Sequence, residues 1–130
     1  MKILPDLVYT ETDEWVRAED KTATIGISDY AQDQLSDVVY VEFVVSVGDT
    51  ISKGQQIATI ESVKAAADVN SPVSGTVVAV NESLPATPEM VNKDPFGQAW
   101  MVKVEMEEPV ELTTLMNSDA YDAYCKERSH

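Results

Sequence analysis

Short apolar runs, most of them interleaved with polar residues, dominate the chain: EWVRAE (14–19), TATIGI (22–27), VVYVEFVV (38–45), QIATIE (56–61), TVVAV (76–80) and AWMVKVEM (99–106). Each is rich in Val, Ile, Thr or aromatic residues, which suit a pleated, half-buried surface, and turn residues separate most of them. TATIGI is close to strict alternation, the period of a strand with one face inward. VVYVEFVV is more continuously apolar and predicts a strand covered on both faces. Two segments follow a helical period instead. In SDYAQDQL, Ser28 is placed to cap a short helix whose Ala31 and Leu35 share a face. Later, Leu112, Leu115 and Met116 recur at helical spacing, and Ser118 is placed to cap a last helix through Tyr121, Tyr124 and Cys125. The pattern predicts a mostly β chain with one short inserted helix and helices closing the C-terminus.

The central third is nearly symmetrical. GDTISKGQQIATIESV leads up to Lys64 and AAADVNSPVSGTVVAV leads away from it, with Gly54 and Gly75 at almost equal distances on either side. That layout predicts a β-hairpin with Lys64 at its tip. Ala65, Ala66 and Ala67 favour helix over strand, so a helical turn through SVKAAAD is the competing reading. So short a helix is marginal on its own, and few residues separate the flanking strands from Pro72.

Composition narrows what such a scaffold can do. At 130 residues the chain has the length of one compact domain, taken here as 1–130, with no Pro-, Gly- or Ser-rich linker. Nine basic against twenty-three acidic residues leave a formal charge of −14, which argues against nucleic acid and favours partners with a positive face. Cys125 is the single cysteine, so no internal disulfide forms, which fits a reducing compartment. No apolar stretch approaches the ~20 residues of a membrane span. No nucleophile–base set or phosphate-binding loop stands out. Glu11, Asp13 and Glu14 lack the spacing of a metal cage and read as a solvated acidic edge. Trp15 and Trp100 read as core or groove-wall aromatics, Cys125 as a packed thiol. His130, the last residue, is poorly placed to pair with it.

Lys64 is the residue that needs an explanation. Glu61 and Asp68, its nearest charged neighbours in sequence, favour a protonated amine, which disfavours Schiff-base or general-base chemistry. An accessible lysine on a tip with small neighbours suits modification by another enzyme.

The residues around it carry a resemblance. GD followed by KG, then ESVKA (61–65), then SPVSG (71–75) resembles the attachment hairpin of the lipoyl/biotinyl-domain superfamily. Outside it, DEWV, GISDYAQDQLSDVVYVE, PVSGTVVAVNESL, MVNKDPFGQAW and LMNSDAYDAYCKE resemble the H-protein family of the glycine cleavage system, from about Val8 to Glu127. The resemblance implies a flattened β-barrel/sandwich hybrid and a carrier without catalysis of its own. It implies lipoic acid in amide linkage to Lys64, attached by a lipoate ligase or a lipoyl/octanoyl transferase that reads Glu61, Ser62 and Val63. The implied partners are glycine decarboxylase (the P protein), the aminomethyltransferase (T) and dihydrolipoamide dehydrogenase (L). It further implies a monomer in the cytoplasm, or in the mitochondrial matrix for a processed eukaryotic chain. Glu14 and Asp68 match family positions lining a groove for the loaded arm, with Thr12 and Ser71 as hydrogen-bonding neighbours. Carboxylates there would offset the cargo's ammonium and keep water away.

The alternatives are a lipoyl relay serving 2-oxoacid dehydrogenase complexes, an unmodified domain that keeps only the fold, and a biotin carrier. The last would usually have methionine on both sides of the lysine, where Val63 and Ala65 stand. The chain also departs from the family pattern. Asp13 stands where histidine is common, Ala99 where glycine precedes the late tryptophan, and EFVVSVGD lacks a proline.

Overall fold

The computed structural model describes residues 1–128, so His130 lies outside the described residues. Among the described residues nine strands form two sheets. β1 (Val8–Tyr9), β2 (Glu14–Glu19), β3 (Thr22–Ile27), β9 (Val102–Met106), β8 (Gly75–Val80) and β5 (Thr50–Ile51) neighbour one another in that order. β4 (Val38–Phe43), β6 (Gln56–Ser62) and β7 (Ala66–Asn70) make the second sheet, with β6 in the middle. Every described strand pair is antiparallel. The expected mostly β sandwich forms, and its two sheets do not close into a barrel.

Alternation sets the core. In the three-stranded sheet the inward rows are Val41–Ile60–Ala67 and Phe43–Ala58–Val69, and they pack on Ile25, Val77, Val102 and Val104 of the larger sheet. VVYVEFVV is not covered on both faces, contrary to its apolar run. Val39, Tyr40 and Val44 are 54%, 43% and 48% exposed. β4 is an edge strand whose sheet packs on one side only, so alternate residues face water.

The inserted helix α1 (Asp29–Leu35) begins as expected, with Ala31 N–H donating to Ser28 Oγ at 3.1 Å. It buries Leu35. The segment predicted helical around Leu112 is a 3-10 helix at Pro109–Thr114, while Leu115 and Met116 run on extended and Met116 bridges Tyr9. A one-turn helix α2 (Met90–Lys93) precedes β9. The last helix, α3 (Ser118–Arg128), is capped by Asn117 and not by Ser118: Ala120 N–H donates to Asn117 Oδ1 at 2.9 Å.

A second apolar cluster holds α3 against the edge of the larger sheet. Tyr121 stacks on Tyr9 with ring centroids 4.4 Å apart, and both are fully buried with Trp15 and Cys125. Trp15 lies across Gly26 of the neighbouring strand, where any Cβ would come within 2.6 Å of the indole, so only glycine fits. Its Nε1–H donates to the Pro95 carbonyl at 3.0 Å. These contacts fix the start of β2, and with it Glu14.

Candidate functional site

β6 and β7 pair through Glu61↔Ala66, and Ser62 N–H donates to the Ala65 carbonyl at 2.8 Å, which leaves Val63 and Lys64 at the tip. The hairpin wins over the helical turn because Ala66 and Ala67 are held by β6, and Ala67 is packed against the core. Ser62 stiffens the tip: its hydroxyl accepts from Ala65 N at 3.0 Å and Lys64 N at 3.3 Å. Lys64 is exposed. Neither Glu61 nor Asp68 forms an ion pair with it. Among the described residues the ion pairs are Lys126–Asp122 and Arg128–Asp13. Glu61 lies between Tyr40 and Ala66, and Asp68 accepts from Gln56 Nε2 at 3.0 Å.

A depression of about 180 Å³ opens between the hairpin and α1. Ile27, Leu35, Ile60 and Ala67 give it an apolar floor, and Thr12, Asp13, Glu14 and Asp68 stand around it. Asp68 follows Lys64 by four residues of the same hairpin, roughly 13 Å of extended chain. Ser71 is seven residues away, roughly 23 Å along the strand direction. It lines a different and larger cavity of about 380 Å³ that shares Thr12 and Glu14 with the first. Ser71 is buried and its hydroxyl donates to the Val73 carbonyl at 2.6 Å. Thr12 and Glu14 therefore line both hollows, Asp68 only the smaller and Ser71 only the larger.

Glu14 is not a solvated acid. It is 1% exposed, and its Oε1 accepts from the hydroxyls of Thr10 and Thr12, each at 2.5 Å, while Oε2 accepts from Asn70 N–H at 3.1 Å. Burial pushes its pKa above the usual carboxylate value, and the hydrogen bonds from Thr10, Thr12 and Asn70 work against that rise. Asp13 adds a smaller upward push. Such a group is a desolvated anion held in one orientation, which interacts strongly with a cation brought close to it.

Asp13 is also tied down. Arg128 of α3 donates to both of its carboxylate oxygens, at 2.6 and 3.1 Å, and the Tyr121 hydroxyl donates to Oδ1 at 2.8 Å. Of the three acids read as a solvated edge, only Glu11 is exposed. Sequence reasoning missed Arg128, Tyr121 and the apolar floor. One signal for Arg128 was present, since the chain has only two arginines and this one closes an aromatic helix.

Comparison with known proteins follows the same residues. The family model for the glycine cleavage H-protein matches residues 7–128. The glycine cleavage system H protein of Thermotoga maritima is 52% identical over 117 residues, 90% of this chain and 94% of that protein. The mitochondrial H protein 2 of Arabidopsis thaliana is 49% identical over 96% of this chain and 80% of its own. A crystal structure of a glycine cleavage system H protein from Mycobacterium marinum superposes with a TM-score of 0.84 at 28% identity, covering 98% of this chain and all of that one.

Proposed function

The chain belongs to the glycine cleavage H-protein family, whose members are the non-catalytic lipoyl carriers of that system, and from that premise we propose that Lys64 bears the lipoyl group. The carrier works with the P, T and L proteins of glycine cleavage. Lipoate would supply a disulfide that is reduced as it takes up an aminomethyl group from the decarboxylase and is reoxidised after the aminomethyltransferase removes that cargo.

The observation that carries the assignment is the exposed, unpaired ammonium of Lys64 on a tip stiffened by Ser62. A ligase or lipoyl/octanoyl transferase needs an amine it can surround, and Glu61, Ser62 and Val63 are the side chains it would meet first. Val63 is 69% exposed and Glu61 is exposed, so both are available for that recognition.

The depression beside the hairpin fits the loaded arm. A lysine side chain extended by an eight-carbon acyl chain spans about a dozen bonds, roughly 14 Å. That length matches the distance to Asp68 and falls short of Ser71, so the smaller hollow is the better fit despite its size. Its apolar floor suits the methylene chain, while Glu14, Asp68 and the Thr12 hydroxyl face the cationic end. Excluding water there opposes loss of the aminomethyl group as formaldehyde and ammonium. This reading assigns no contact with the arm to Ser71. It treats residues 1–130 as one carrier unit in the cytoplasm or, for a processed chain, the mitochondrial matrix. Among the described residues no helix is long and apolar enough to cross a membrane.

Intact-mass measurement after incubation with a lipoate ligase, lipoate and ATP tests the attachment. One lipoyl increment is expected on the native chain and none on Lys64→Arg. An increment retained by the arginine variant sinks the assignment.

A further inference from the structure

α3 ends against Asp13, which lines the depression, and the contact it makes there is more elaborate than helix docking requires. The Arg128 guanidinium lies over two rings, 4.4 Å from the centroid of Tyr30 on α1 and 4.0 Å from that of Tyr124. From that slot it donates to both oxygens of Asp13. Tyr121 reaches the same carboxylate, and its hydroxyl also lies 2.6 Å from Ser28 Oγ, the cap of α1. Asp13 needs such support. Its φ is +75°, in the left-handed region that few residues other than glycine adopt readily. Its own carbonyl accepts from Ser28 N–H at 2.9 Å. One turn, one helix start and one helix end thus converge on Asp13, the residue between Thr12 and Glu14.

We propose that Arg128 is a positioning residue of the carrier. Through Asp13 it both fixes the Thr12–Glu14 rim and neutralises a third carboxylate on that rim. Of the three carboxylates that line the depression, Glu14 and Asp68 are then the two not held in an ion pair. The lever is electrostatic as well as mechanical. Asp13 sits next in sequence to a buried carboxylate, where an uncancelled charge is poorly screened. The inference rests on the groove reading for its functional meaning, but its physical core concerns the unmodified chain.

The charged and titratable groups around Glu14 are few. Asp13 adjoins it, Asp68 faces it across the depression from β7, and Glu11 and Lys53 line the cavity it shares on the other side. Around Asp13 stand Arg128, Tyr121 and, through Arg128 Nη2 at 3.6 Å, Cys125. Removing the guanidinium leaves Asp13 bare, and its charge then resists ionisation of Glu14. Glu14 should protonate at a higher pH. Removing the Asp13 charge as well should restore the original midpoint.

The test uses full-length unmodified protein and follows the Glu14 carboxyl carbon by NMR through a pH titration. In Arg128→Met the midpoint should rise by about half a unit. Arg128→Lys should rise less. The Asp13→Asn/Arg128→Met pair should return to the native value. A role confined to packing α3 would lower thermal stability in both methionine variants alike and leave the midpoint in place, and that result overturns the proposal. In parallel, release of the aminomethyl cargo from loaded carrier is measured as a function of pH for the native chain, Arg128→Met and Glu14→Gln. Release should speed several-fold in both variants, with the Arg128→Met profile displaced to higher pH. If the midpoint moves but release is unchanged in both variants, the positioning role stands and the groove reading falls.

Discussion

The hairpin that carries Lys64 and the turn at Thr10–Glu14 both contribute to one depression, and the hairpin's tip and the turn are built on opposite principles. At the tip, Val63 and Lys64 touch little, and the order there comes from backbone bonds and one serine hydroxyl. At the turn, a buried carboxylate takes three hydrogen bonds, its neighbour takes an arginine and a tyrosine, and a stacked aromatic pair backs both. The difference follows from what each must do. A lysine offered to several enzymes has to stay in water, where its charge costs nothing. Carboxylates that attract a cation gain strength only where water is excluded, and a desolvated charge survives only with partners. One region therefore has few stabilising contacts to lose, while the other is sensitive throughout.

The largest effect expected from this contrast is functional without being structural. Lys64→Arg should reduce glycine-dependent reduction of the carrier by the decarboxylase at least a thousandfold, to background, because guanidinium is not a substrate for amide formation. Its Tm should stay within about 1 °C of native, as for an exposed position. Normal turnover by that variant would refute the tether.

The mirror-image experiment lies on the other side. Tyr121→Ala removes a fully buried ring stacked on Tyr9 and strands hydroxyl partners at Ser28 and Asp13. A loss of about 3–5 kcal/mol is expected, or roughly 10–20 °C in Tm. Lipoylation of Lys64 below the new melting point should proceed at the native rate. A stability loss below about 1 kcal/mol would mean that α3 is not anchored through this ring.

A smaller and pH-dependent effect distinguishes the buried carboxylate. Because burial raises its pKa, Glu14 holds its proton more tightly in the folded chain than in the unfolded one. Its contribution to stability is full below its ordinary value of 4.5 and is lost as pH rises through the raised one. Glutamine cannot titrate. The Tm of the native chain minus that of Glu14→Gln should therefore fall as pH is taken upward from about 4.5 through that window. A difference that is flat with pH would show that folding leaves this proton affinity unchanged.

The mildest expectation concerns the surface as a whole. With a formal charge of −14 and with Glu42, Glu61 and Asp68 on the sheet that carries the tip, association with partner enzymes should weaken several-fold between low and physiological salt. Equal affinities at both ionic strengths would remove electrostatic steering from the picture.

Much of this was legible beforehand, and the exceptions have a common cause. The strands at 14–19, 22–27 and 56–61 appear where alternation predicted them, as does the Ser28 cap, because each depends on residues a few positions apart. VVYVEFVV misled because the same apolar run fits a strand covered on one face or on both, and only the packing of the sheets decides which. Ser118 misled because Asn117, one residue earlier, is an equally good cap. Glu14 and Asp13 looked like members of a solvated edge because nothing in TETDEW tells which acid turns inward.

Taken alone, the order of residues determined what is local: a protruding lysine between two strands, a capped helix, an acid-rich surface and the resemblance these motifs carry. Tertiary structure alone decided which distant groups meet. Arg128 finds Asp13 across 115 positions, and Asn70 finds Glu14 across 56. Periodicity reports whether a side chain faces inward or outward over a few residues, but the partners of a buried charge are set by how two sheets and a helix pack, and burial is what makes those partners necessary.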